Sequence, residues 1–213
     1  MSDTGFQKGE SIVIKHRLVK GLCFSTLAFS LSACSLWQPN ISSLEKAIII
    51  PTVLPTCSDL TQPFNAYQHI HVEADRYNTK SKTNDFEAMI TADKKGMKIA
   101  VMAMGTKVWN IDFDGMVITE ERSEHLPEAL EAQYMVRDIA LAYWPSRDLK
   151  TQLKDWILVE SEQTRLIYAP GEEKPIISIE YRKGAAPLSG DGEVIFDNHL
   201  HHYRLTIQSS RLK

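Results

Sequence analysis

Apolar and polar residues alternate along the chain after Pro63. The apolar side of this two-residue repeat holds Phe64, Ala66, Ile70, Val72 and Ala74, and the polar side holds Tyr67, His69, His71, Glu73 and Asp75. Alternation of this kind is typical of a β-strand with one buried and one solvated face. The pattern therefore predicts a strand at the start of the folded part of the chain.

Further segments continue the alternation and are separated by turn residues. They predict strands at 86–90, 97–104, 107–112 and 116–120, connected by the polar stretch 78–84, the hairpin loop 93–96 and a type I′ turn at Asp114-Gly115. Segment 97–104 is apolar on both sides, which predicts that each of its faces is covered. Together these segments predict a meander of about five antiparallel strands.

The repeat changes to helical spacing after Pro127. Leu126, Leu130, Tyr134, Arg137 and Leu141 recur at this spacing, which predicts a helix over 127–143 that Trp144-Pro145 ends. A second short helix is predicted over 146–153, with Ser146 as its N-cap. Strands then resume at 156–160, 164–169, 176–182, 193–196 and 202–208.

This order of elements predicts the fold class α+β. Because twist accumulates across many antiparallel strands, we expect one strongly curved sheet of about nine to ten strands. The sheet would form an incomplete β-barrel over residues 64–213, with the helical section packed in its concave side. No second domain is predicted beyond it.

A half-closed barrel of this kind has room for an apolar hollow between sheet and helix. Its predicted lining consists of Met97, Ile99, Val101, Trp109, Met116, Ile118, Tyr134, Ile139 and Trp144. Flexible methionines would let such a pocket adapt to acyl chains or polyenes. We then expect Trp109→Ala or Val101→Asp to abolish ligand uptake before folding. A plain, filled core is the alternative, and the composition favours it.

The N-terminal residues have the three parts of a secretory leader. A basic segment ending at Lys20 precedes the apolar run 22–31, which is too short to span a bilayer as a helix. The run ends at Leu31-Ser32-Ala33-Cys34, the form of a bacterial lipoprotein processing site. The sequence therefore predicts a signal peptide at 1–33, lipidation of Cys34 and a Pro-rich tether at 34–63. Residues 47–50 are alternatively a short first strand.

Charge and chemistry restrict the possible functions. Without the leader the chain keeps 20 basic and 25 acidic residues, so nucleic acid is not an expected partner. Cys57 would be a lone thiol without a basic neighbour. No catalytic, cofactor or phosphate-binding motif is found. His69 with His71 and His199 with His201 have spacings that bind metals if their segments meet, but no metal site is predicted.

Several of these features resemble those of a known family. The lipoprotein site, the meander with Gly96, Gly105 and Asp114-Gly115, and the segments Ala142-Tyr143-Trp144-Pro145 and Tyr203-Arg204-Leu205 are similar to an uncharacterised family of proteobacterial lipoproteins, often encoded beside aryl-polyene or fatty-acid-like synthesis genes. The strand order also resembles that of the outer-membrane lipoprotein carrier and receptor proteins LolA and LolB, whose open barrels hold acyl chains.

The resemblance implies a noncatalytic envelope lipoprotein that binds or hands on an acylated or polyene lipid. Ser35 after the lipidated cysteine implies the outer membrane, because an Asp there retains lipoproteins in the inner membrane of enteric-type bacteria. The lipid anchor would hold the protein at the periplasmic face. A structural or assembly partner without a ligand remains the alternative, followed by a hydrolase or metal-dependent enzyme.

Overall fold

A computed structural model describes residues 48–74, 85–126 and 130–212. The predicted signal peptide, Cys34 and the polar stretch 78–84 lie outside these residues. The described residues from 48 onward belong to one compact unit.

The unit is built on ten antiparallel strands. They are β1 (Phe64–Ala74), β2 (Asp85–Asp93), β3 (Gly96–Ala103), β4 (Thr106–Phe113), β5 (Ile118–Arg122), β6 (Ile157–Glu160), β7 (Thr164–Tyr168), β8 (Ile177–Arg182), β9 (Gly192–Asn198) and β10 (Tyr203–Arg211). Their order in the single sheet is β5-β4-β3-β2-β1-β10-β9-β8-β7-β6. The sheet is curved and open, like an incomplete barrel. The predicted α+β fold class is therefore confirmed.

The first and last strands meet in the middle of this sheet. β1 pairs with β2 on one side and with β10 on the other, with Ile70 opposite both Phe86 and Ile207. Two meanders, β1 to β5 and β6 to β10, are thus joined side by side along the β1–β10 seam. The outer edges of the described sheet are β5 and β6.

Strand β3 differs from the expectation that both of its faces are covered. Met97, Ile99 and Val101 are buried on one face, whereas Lys98 is exposed on the other and Met104, in the turn after the strand, is 90% exposed. The sheet accordingly buries the concave face against the core and leaves the other face to solvent.

Two helices lie between β5 and β6, as the sequence predicts. Helix α1 covers Ala132–Tyr143 and helix α2 covers Ser146–Leu153. Residues 127–129 of the predicted helix lie outside the described residues. Residues 130 and 131 are described but not helical, so α1 begins at Ala132. Ser146 is not the N-cap of α2, because Pro145 takes that position with extended backbone angles and Ser146 is the first helical residue.

The C-terminal end of α1 is bonded to the sheet and to the loops around it. The last four carbonyl groups of a helix have no partner within the helix. In α1, the N–H groups of Trp144 and Leu188 donate to Ala140 O and Tyr143 O, respectively. The side chain of Arg165 donates through Nη1 to Leu141 O at 2.5 Å. The hydroxyl group of Tyr181 donates to Ala142 O at 2.7 Å. The helix end is fully satisfied although it is buried.

Residues 48–63 pack against the domain, so the prediction of a tether over 34–63 does not describe this part of it. Val53, Cys57 and Leu60 are buried in the core. Trp144 Nε1 donates to Thr56 O, and the Gln152 side chain bonds both backbone groups of Leu54. These residues form no strand; one 3₁₀ turn, Cys57–Asp59, lies among them. The prolines prevented regular structure but not burial.

Candidate functional site

Five of the nine predicted pocket residues are buried in one continuous core. Met97, Ile99, Val101, Trp109 and Trp144 all belong to this cluster, which also includes residues of α1, α2 and the N-terminal segment. Their side chains fill the concave side of the sheet. In the described residues, two cavities are open grooves at the surface, and neither of them is lined by these five residues.

The other four predicted residues lie nearer to solvent. Met116 is 83% exposed and Tyr134 is 43% exposed, whereas Ile118 and Ile139 are half-buried and pack against the core. The position of Met116 follows from the connection between β4 and β5. This connection has four residues rather than a two-residue type I′ turn, because Asp114 Oδ1 accepts hydrogen bonds from the N–H groups of Met116 and Val117.

One of the two grooves runs beside the edge strand β5 and is here named the edge groove. Its volume is about 360 Å³. The lining combines residues of the N-terminal segment, of β5 with its preceding loop, and of the start of α1: Thr52, Leu54, Met116, Ile118, Glu120, Glu131, Ala132 and Gln133. Two predicted pocket residues, Met116 and Ile118, therefore contribute to it.

Hydrogen bonds hold the lining of the edge groove in place. Trp109 Nε1, within the core, donates to Glu120 Oε2 at 2.7 Å. Gln133 Nε2 donates to Glu131 Oε2 at 2.5 Å. Leu54 is fixed through its backbone bonds with Gln152 of α2. The groove is thus supported by the packed core and by both helices.

The second groove is polar and lies where β9 turns into β10. Its volume is about 420 Å³, and it is lined by Glu73, Asp197, Asn198, His199, His202, Tyr203 and Arg204. Arg204 is paired with Asp197 through two hydrogen bonds. His199 Nε2 lies 2.8 Å from Ser178 Oγ. Arg204 and Asp197 of this groove are therefore already paired with each other.

A buried network connects the polar groove to α1. Tyr203 donates a hydrogen bond to Asp138, which also accepts from Arg137, and Asn198 donates to Tyr203 Oη at 3.1 Å. Burial raises the pKa of Asp138, although the positive charge of Arg137 opposes the shift. Burial and the neighbouring Asp138 carboxylate raise the pKa of Tyr203. The network attaches the middle of α1 to the start of β10.

The two histidine pairs do not come together. His69 and His71 lie on the solvated face of β1, where His71 Nδ1 is 2.7 Å and His69 Nε2 3.8 Å from Asp85 Oδ1. β1 does pair with β10, but His199 and His201 lie in the connection before that strand. Within the described ranges, no group of three or more His, Cys, Asp or Glu side chains is arranged to hold a metal ion.

Comparison with known proteins supports the expectation that the chain belongs to an uncharacterised family. The model of the family described as "Protein of unknown function (DUF3261)" matches residues 65–211. The chain belongs to this family. The matched range contains both helices and nearly all of the sheet, whereas Thr52 and Leu54 of the edge groove precede it. A search of the curated proteins finds no match.

Sequence reasoning missed most of the edge groove in this DUF3261 member. Leu54 lies in the Pro-rich segment that was predicted to be a tether, and neither Glu120 nor Glu131 was predicted to line a site. The family description names no ligand, so the groove rests on its geometry alone. Among the helices of the described residues, none is both long enough and apolar enough to span a membrane.

Proposed function

We propose that this protein is an envelope lipoprotein, anchored through Cys34 at the periplasmic face of the outer membrane, that binds or hands on an acylated or polyene lipid without catalysis. The lipoprotein processing site at Leu31-Ser32-Ala33-Cys34 supports the anchor. The resemblance of the strand order to LolA and LolB, together with the curved open sheet, supports lipid binding.

The edge groove is the observation that carries this proposal. Leu54, Met116, Ile118 and Ala132 give it an apolar surface, and its volume of about 360 Å³ lies within the range of ligand sites, roughly 300–1,000 Å³. Met116 is flexible and 83% exposed, so it adapts to an apolar chain at low cost. In the described residues, large side chains such as Trp109 and Trp144 occupy the interior.

Recovery of bound lipid tests the proposal. The protein is purified under mild conditions, its lipid extract is analysed by mass spectrometry, and binding of a fluorescent fatty acid is titrated. We expect Met116→Gln to weaken binding several-fold, because it replaces apolar contact with an amide. Met104→Gln is the matched control, since Met104 is also highly exposed, at 90%, in the turn between β3 and β4. Absence of both extracted lipid and probe binding would rule the proposal out.

Fractionation of cells tests the anchor and the membrane. We expect the unchanged chain in the outer-membrane fraction and the Ser35→Asp variant in the inner-membrane fraction, with Ser35→Thr as control. A Cys34→Ser variant lacks the sulfur that carries the lipid, so neither membrane fraction should contain a lipidated form of it. Equal distribution of the Asp and Thr variants would contradict the proposed sorting.

A ligand-free structural or assembly partner is the second candidate. The observation that favours it is the filled concave side of the sheet, where Trp109 and Trp144 are buried among other core residues. In this case no lipid is recovered, and crosslinking in cells links the chain to another envelope protein. The lipid extraction therefore separates the two candidates.

A further inference from the structure

The charged residues that line the edge groove are both acidic. Glu120 lies on β5 and Glu131 at the N-terminal end of α1, so two different elements contribute the carboxylates. Among the described residues that line the groove, none is Lys, Arg or His. An amphiphile whose chain lies along Leu54, Ile118 and Ala132 would therefore place its head beside carboxylates.

Both carboxylates are held at the groove by neighbouring donors. The indole N–H of Trp109 fixes Glu120, and the Gln133 amide fixes Glu131. Trp109 is itself buried, so its bond to Glu120 is anchored in the core. Neither donor carries a charge. The hydrogen bonds therefore orient both carboxylates of the groove lining without pairing them with a cation.

Arg122 is the next residue on the same face of β5, and its guanidinium bonds backbone carbonyl groups that precede α1. Its guanidinium lies 5.5 Å from the centre of the Trp109 ring, and it donates to Leu130 O at 2.9 Å and to Leu126 O. These contacts place it under the segment before α1. Arg122 does not belong to the lining of the groove.

We propose that the edge groove selects amphiphiles with a cationic, amine-bearing head over amphiphiles with an anionic head. This inference rests on the proposed lipid-binding function and names the class of lipid. An ammonium group near the two carboxylates gains charge pairing, whereas a carboxylate or phosphate in the same place is repelled. The apolar part of the groove supplies the affinity, and Glu120 and Glu131 supply the selectivity.

Displacement of an uncharged fluorescent probe by three amphiphiles measures this selectivity. Dodecyltrimethylammonium, dodecyl maltoside and dodecanoate have the same chain and differ in the head, and they are used below their micelle concentrations. At low salt we expect the cationic compound to displace the probe at about tenfold lower concentration than the anionic one. The ratio should fall toward one at 1 M salt, where the Debye length is about 3 Å.

Substitutions at the rim assign the selectivity to its residues. Glu120→Gln keeps an oxygen that accepts from Trp109 and removes the charge, and Glu131→Gln removes the second charge. Each should lower the ratio about threefold while affinity for dodecyl maltoside stays the same. Glu121→Gln is the matched control: it removes the same charge from the same strand, but Glu121 pairs with Asn110 and lies on the opposite face.

The outcomes separate this inference from the function on which it rests. If no amphiphile displaces the probe, or the probe does not bind, the inference fails, and if in addition no lipid is extracted from the purified protein, the proposed function fails with it. If all three compounds displace it equally, or dodecanoate is preferred, only the inference fails. The inference also fails if Glu121→Gln changes the ratio as much as Glu120→Gln does.

Discussion

Single side chains show how burial changes the expected effect of a substitution. Val101 was predicted to line a hollow, where an aspartate would stop ligand uptake before it affected folding. The structure instead packs Val101 into the core, on the face of β3 that also carries Met97 and Ile99. A charge at this position would have no polar partner to replace its lost hydration.

Val101→Asp is therefore expected to unfold the protein. The cost of a buried, unpaired carboxylate is several kcal/mol, which is a large part of a total stability of about 5–15 kcal/mol. Ala100→Asp is the control, because Ala100 is adjacent on the opposite, half-buried face. Urea unfolding followed by circular dichroism measures both variants; a native-like transition for Val101→Asp would show that this region is hollow.

Cys57 is expected to be an unreactive thiol. It is buried, and burial raises its pKa from 9.0 to about 11. The fraction of reactive thiolate at pH 8 is then about a hundredfold smaller than for an unshifted thiol. The rate of reaction with a disulfide reagent should rise about tenfold per pH unit up to that pKa.

Measurement of this rate requires a chain in which Cys23 and Cys34 are replaced by serine. Cys57 should react slowly in buffer and rapidly in urea. Fast reaction at pH 8 in buffer would mean that residues 48–63 do not pack as described.

At the scale of elements, α1 depends on partners that are distant in sequence. Arg165 is fully buried, donates to Leu141 O, and forms two hydrogen bonds with Glu160. Tyr143 and Ser209 share a further buried hydrogen bond, which Gln68 extends. These contacts join the helix to strands of both meanders.

Arg165→Met is expected to destabilise the protein by about 1–3 kcal/mol, because it leaves the buried Leu141 O without its donor. Arg182→Met should cost about 1 kcal/mol or less, since Arg182 forms half-exposed ion pairs on β8. Thermal and urea unfolding compare the two variants. Equal losses would mean that Arg165 does not anchor the end of α1.

The sequence predicted elements better than their contacts. Alternation and turn residues are local signals, so each strand and the Trp144-Pro145 end of α1 were found within a few residues. The contacts of Arg165 with Leu141 O and of Tyr181 with Ala142 O join residues far apart in the chain, and no local pattern indicates them. The choice between a hollow and a filled core was left open for the same reason, since periodicity tells which side is apolar but not what covers it.

At the scale of the whole molecule, the N-terminal segment is part of the fold. Ile50, Val53, Cys57 and Leu60 are all buried against the sheet and helices. Burial of Ile50, Val53 or Leu60 contributes about 1.5–3 kcal/mol each before the entropy cost of ordering the segment. Loss of this burial is large compared with a total stability of about 5–15 kcal/mol.

A chain shortened to begin at residue 48 is therefore expected to fold and to unfold in one cooperative transition. A chain shortened to begin at residue 64 keeps all ten strands but should not fold stably. Circular dichroism and urea unfolding of the two chains make the comparison. Similar midpoints for both would restore the interpretation of residues 48–63 as a tether.

The adjacency of β1 and β10 determines when the native state can form during biosynthesis. A nascent chain that has reached Asn198 holds both β1 and β9, yet the strand that bridges them is still to be translated. Tyr203 and Ser209, which bond to α1, belong to that same last strand. Long-range pairing of this kind is slow to form. Assembly of the sheet is consequently completed only after the ribosome has released its final strand.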